Sequence, residues 1–285
     1  MSTQTLKLIT ENILLALILM LTFLCASAQD NAAYLKAHAV RVDNPEQLSD
    51  SVYHLLAPFQ MIMFGEIHGT NESTPFVMGL ANLFTANGDS VQVGLEIPPN
   101  LITQFISQRT DSSIYHSDFF HNPPLDGKES VAWATLISEL NKNSRVELFF
   151  FDVNSNEGKP YQRDSLMYVK IKTQFKRHPT WKMVTLSGNF HNRISDEATM
   201  ASYLNRDEQL NLSSKICSLT IQYLSGTCTA NFGRGLEVKQ LGHPETVYDS
   251  SFDKYLVLFP PNSEYPYTGF YYTRFITAAK MTNSK

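Results

Sequence analysis

Four short runs, Met61–Gly65, Val91–Leu95, Val146–Phe151 and Met183–Leu186, are nearly uniform in apolar character instead of alternating. A strand covered on both faces reads this way, whereas a half-solvated strand alternates. Between the runs, Pro75–Ala86, Ser130–Leu140 and Asp164–Phe175 carry apolar residues at helical spacing. Strand and helix in alternation predict βαβ units, and so an α/β fold with a mostly parallel central sheet flanked by helices. Ile216–Leu224, Tyr255–Phe259 and Phe270–Ile276 are further strand candidates, in loop-rich surroundings that give no strand order. The stretch Arg109–Lys128, "RTDSSIYHSDFFHNPPLDGK", breaks the pattern with turn residues, two histidines and three aromatics. It is expected to be a surface loop or a lid near the strand ends.

One apolar run belongs to none of these elements. Ile13–Leu21, extended through Phe23 to Cys25, follows Lys7 and precedes Ala26-Ser27-Ala28. A short apolar core before a small-x-small triplet is the pattern of a secretory signal, and a membrane span needs about 20 apolar residues. Residues 1–28 are therefore expected to be a signal peptide, with cleavage before Gln29 and an exported, periplasmic or secreted protein. Residues 29–285 are expected to form a single domain. Net charge is −4 and the basic residues are scattered, which argues against a nucleic-acid or anionic-membrane surface. Cys217 and Cys228 remain beyond the leader. In an oxidising compartment such a pair predicts a disulfide, closed by a hairpin at Leu224-Ser225-Gly226.

Each of the four best strands is predicted to end in polar residues that burial does not explain. The first ends in Glu66 and His68, the second in Glu96, the third in Asp152, and the fourth in Asn189 and His191. In an open parallel sheet, ligands bind beyond the carboxyl ends of the strands. A carboxylate buried there without a partner is costly, so these acids call for histidines, an arginine or a metal beside them. Arg163 is one candidate partner of Asp152.

The motifs "FGEIHGTNESTPFV", "VGLEIP", "RDSLM" and "LSGNFHN", in that order, resemble the superfamily of erythromycin esterases, ChaN-type haem-uptake proteins and Tiki/TraB metalloproteases. The resemblance runs from about Met61 to Asn192. It implies an α/β sheet and a site on Glu66, His68, Glu96 and His191, with Arg163 in support. The single residue Ile67 between Glu66 and His68 is closer to the ChaN spacing than to that of the macrolide esterases, which argues against macrolide hydrolysis.

Two histidines and two carboxylates suffice to activate water. The leading expectation is a secreted hydrolase acting on an ester or peptide. His68 is its base, oriented by Glu66 or Glu96, and His191 is the second acid–base group. "TLSGN" around Ser187 is not a nucleophile elbow. Glu66, His68, Glu96 and His191 are also a donor set suited to zinc, manganese or cobalt, and the Tiki branch is metal-dependent. The alternative implied by the ChaN branch is a haem- or iron-uptake protein. Haem iron is held by His or Tyr, and His116, His121 and thirteen tyrosines are present, with no particular ligand singled out.

Overall fold

The computed structural model describes residues 33–103, 111–121, 126–154, 157–231, 235–242, 252–260 and 264–282. The expected signal peptide and its cleavage point lie outside them. The strands are β1 (Val40–Arg41), β2 (Met61–Glu66), β3 (Val91–Leu95), β4 (Val146–Phe150), β5 (Lys182–Gly188), β6 (Ile216–Asn231), β7 (Leu236–Leu241), β8 (Lys254–Leu258) and β9 (Gly269–Ile276). The longer helices are α1 (Asp50–Leu56), α2 (Ser73–Ala86), α3 (Val131–Lys142), α4 (Arg163–Arg177) and α5 (Met200–Arg206).

The strands form one sheet in the order β1-β8-β9-β6-β2-β5-β3-β4, with β7 added to β6. From β9 to β4 every neighbouring pair is parallel. The β1–β8, β8–β9 and β6–β7 pairs are antiparallel. The parallel centre is buried on both sides, which explains its continuous apolar runs. Side chains along a strand point to alternate faces, and β2 obeys this. Ile62 and Phe64 enter a core under α2 and α3, while Met61 and Met63 enter a second core under α4 and α5.

Local chemistry sets the helix boundaries. Ser130 accepts from the Trp133 N–H at 3.3 Å and caps α3. Thr199 and Ser202 form a reciprocal capping box at the start of α5. Each removes orphan N–H donors from a helix start.

Two expectations are corrected. β6 runs unbroken through Leu224-Ser225-Gly226 because β9 pairs along Leu219–Gly226 and β7 takes over from Gly226. No hairpin folds there. Cys217 and Cys228 are free thiols on this one strand, roughly 35 Å apart at extended spacing, against about 6 Å between the Cα atoms of a disulfide. Nor is the described part of the stretch after residue 110 a surface loop. Ile114, Phe119 and Phe120 are buried in the core with Trp133, while His116 and His121 face outward. Among the described residues no helix is long and apolar enough to cross a membrane.

Candidate active site

Sheet register brings the four strand ends level. Glu66 closes β2 opposite Gly188 of β5, and Leu95 of β3 lies opposite Leu186 of β5 and Phe150 of β4. The next residue, Glu96, bonds back to the Leu186 carbonyl, and Asp152 to that of Ile97. Glu66, Glu96, Asp152 and the turn after Gly188 therefore sit at one end of adjacent strands.

Glu66 and His68 form the first unit. Glu66 Oε1 lies 2.6 Å from His68 Nδ1, and its side chain is fully buried. Its second oxygen, Oε2, has no hydrogen-bond partner among the described residues. The carboxylate fixes the proton of a neutral His68 on Nδ1 and leaves the Nε2 lone pair free. Burial lowers the His68 pKa, but the bond to Glu66 and the charges of Glu66 and Glu96 outweigh it, and the net shift is upward. The ring keeps 33% of its surface exposed. Gly188 explains how it fits: a Cβ there would stand 3.2 Å from His68 Nε2 and 3.7 Å from His191 Cδ2. Both imidazoles flank one glycine.

Glu96 is the hub of the second unit. Its Oε1 accepts from Arg163 Nη2 at 2.5 Å and from Lys128 Nζ at 3.1 Å, and its Oε2 accepts from the Gly188 N–H at 2.6 Å. Arg163 also binds Asp152 bidentately, with Nε and Nη2 each at 2.9 Å. Full burial would raise the Glu96 pKa. The charges of Lys128, His68, His191 and Arg163 reverse that and hold it well below the carboxylate range. Arg163 opens α4, where the helix dipole disfavours a cation, so its place there is secured by the two acids.

His191, in the short helical turn after β5, has both ring nitrogens engaged. Nδ1 lies 3.0 Å from both oxygens of Asp164, and Nε2 lies 3.1 Å from Arg163 Nη1. Asp164 and the Arg163 guanidinium thus hold the ring from both sides. Asn189 turns inward to scaffolding: its Oδ1 accepts from the Thr220 hydroxyl and its carbonyl from the Tyr267 hydroxyl.

All seven residues named from the sequence fall at this end of the sheet, and direct contacts join Glu66 to His68 and Glu96, Arg163, Asp152 and His191 to one another. Two partners were missed. Asp164 follows Arg163 inside the "RDSLM" motif, and its charge was the available signal. Lys128 closes the irregular stretch that offered only turn residues, so no periodicity marked it.

The donor set does not suit a metal. Both Glu96 oxygens and both His191 nitrogens are committed to cations, N–H groups or Asp164, which leaves only Glu66 Oε2 and His68 Nε2 free. Among the described residues no cluster of three or more His, Cys, Asp or Glu is placed to hold an ion.

An α/β protein with charged groups gathered at the ends of its parallel strands is the class these features define. Its fold is similar to that of an erythromycin esterase and of two further solved structures. A succinoglycan biosynthesis protein overlays with a TM-score of 0.72 at 7% identity, covering 90% of this chain and 99% of that one. A Bacillus cereus protein overlays at 0.66 and 9% identity, with the same 90% and 99% coverage. A mutant of the erythromycin esterase EreC, in an open conformation, overlays at 0.56 and 10% identity, over 85% of this chain and 97% of that one. No family model matches the sequence, and neither does any curated protein.

Proposed function

We propose that the protein is a metal-independent hydrolase acting on an ester or peptide outside the cytoplasm, where the N-terminal apolar run directs it. The observation that carries this reading is the Glu66–His68 pair. A buried carboxylate sits 2.6 Å from Nδ1, and a side-chain-free glycine lies beside Nε2.

In the proposed reaction His68 Nε2 takes a proton from water as the water oxygen bonds to the acyl carbon. Glu66 stabilises the imidazolium that results. The carbonyl π-electrons move to oxygen, and the Arg163 guanidinium, with 35% of its side chain open, stabilises that oxyanion. On collapse, the bond to the leaving alkoxide or amine breaks and His68 returns the proton to it. His191, oriented by Asp164, keeps Arg163 Nη1 in place.

The test is hydrolysis of a panel of p-nitrophenyl esters and fluorogenic peptides by wild type and His68→Asn, with thermal melts alongside. Wild type is expected to turn over at least one member. His68→Asn should lose roughly 10²–10⁴-fold, the usual worth of a positioned base, with its melt intact. Full activity in His68→Asn would overturn the reading, as would a loss that only tracks unfolding. Haem added to the same preparation is expected to give no Soret shift at one equivalent; a stoichiometric shift would favour a haem carrier instead.

A further inference from the structure

Lys128 is an ammonium sealed from solvent, with a side chain only 1% exposed. Such a lysine is rare unless paired, and this one has three carboxylates. Nζ lies 2.9 Å from Asp126, 3.1 Å from Glu96 and 3.7 Å from Asp152. Burial alone would lower its pKa, but the three acids more than reverse that, and the group stays charged.

Its backbone is equally fixed. Glu129 folds back to accept the N–H groups of Asp126 and Gly127, and Asp126 Oδ1 accepts that of Lys128. The following residues are stitched to the C-terminal stretch, Val131 N–H to Lys280 O and Thr282 N–H to Glu129 O. A rigid turn thus delivers one cation to the acids that hold Arg163. Through Glu96 the same contact reaches the Gly188 N–H, and Gly188 is the residue between the two imidazoles.

Resting on His68 as the base, we infer that Lys128 is a positioning residue of the site. Out of reach of any substrate, it sets the place and charge of Glu96 and Asp152, and through them the alignment of Arg163 and the proton affinity of His68. The charged and titratable groups around His68 are Glu66 at the end of its own strand, Glu96 after β3, Lys128 from the loop before α3, and His191 after β5. Lys128 is the buried cation among them. Its charge opposes that of Glu66 and Glu96 at the imidazole and limits the rise in the proton affinity of His68.

The experiment is an NMR titration of the His68 ring in substrate-free protein, wild type against Lys128→Met and Asp126→Asn. Removing the cation should move the His68 titration to higher pH. Asp126→Asn keeps the turn's Oδ1 acceptor but strips Lys128 of its nearest counter-charge, so the ammonium bears more fully on its remaining neighbours. That change should move the titration to lower pH. Its half-exposed position keeps this second variant folded where Lys128→Met, with buried acids left unpaired, is not. Where hydrolysis is measured, Lys128→Met should lower kcat about a hundredfold, the cost of an ångström-scale misplacement, with KM little changed. Opposite shifts in the two variants support the inference. An unchanged His68 titration in both, or in Asp126→Asn alone when Lys128→Met fails to fold, overturns it. The titration needs no substrate, so it decides the role of Lys128 even if the hydrolase reading fails on its own test.

Discussion

At the scale of single residues, the proton balance of His68 carries the sharpest consequences. Burial pulls its pKa down, and Glu66 and Glu96 together raise it above the ordinary histidine value. A base must be unprotonated, so the acid limb of the pH–rate profile should lie above the usual histidine range near 6.5. Glu66→Gln should move that limb to lower pH and also reduce the plateau rate, read from kcat/KM across pH 5–10. The same shift is linked to stability. A folded pKa raised above the unfolded one stabilises fully below the unfolded value, and that contribution is lost as pH rises through the folded one. The melting-temperature gap between wild type and His68→Asn should therefore narrow from pH 6 to pH 9. Gly188 supplies a steric test. Its φ of −57° suits any residue, yet an added Cβ would press on His68 at 3.2–3.3 Å. Gly188→Ala should melt within a few degrees of wild type while losing about tenfold or more in kcat, a loss of position rather than of fold. Equal activity in this variant would mean that the Nε2 side of His68 is not where the reaction occurs.

At the scale of elements, the sequence was most legible where burial is symmetric. β3 has the bounds expected of it, Pro75–Ala86 and Asp164–Phe175 lie inside α2 and α4, and Ser130–Leu140 falls within α3 and its N-cap. Uniform apolar runs and helical spacing report directly on two-sided and one-sided burial, and the core enforces both. The edges were less legible. β1 is two residues long, and β7 reads "LEVKQL", with a lysine and a glutamate among its apolar residues. Neither covers enough core to impose a pattern. The turn residues Ser225-Gly226 predict an end of this strand near Leu224. Local turn propensity lost to pairing on both sides, with Gly226 adopting a φ of 154° within a continuous strand. The charged groups followed the same division. Those placed by a strand end were visible as polar breaks after apolar runs, while Lys128 depends on a turn whose partners are distant in sequence.

At the scale of the whole molecule, the loop carrying His68 and the turn carrying Lys128 are held together by the chain's far end. Gly69 takes a φ of 76° and comes so close to Thr229 of β6 that a Cβ would collide with the Thr229 carbonyl, and Gly127 packs against Gly69. The Gly69 carbonyl accepts the N–H groups of Thr229 and Ala279. Thr277 bonds Glu72, and Asn71 reaches the Ala278 carbonyl. Residues 277–282 thus strap both loops to the sheet. A chain ending at Ile276 would lose these bonds, each worth about 1 kcal/mol net. It should melt well below wild type and show no hydrolysis even at temperatures where it remains folded. A truncated protein with a normal melt and normal turnover would remove the strap from the account. The strap also sets a timetable. Polypeptides are made from the N-terminus onward, so His68 emerges some two hundred residues before the segment that fixes its loop. A half-made chain on the ribosome carries His68 and Glu66 but not the brace that aligns them. Alignment of the pair is thereby deferred until residue 282 has been delivered.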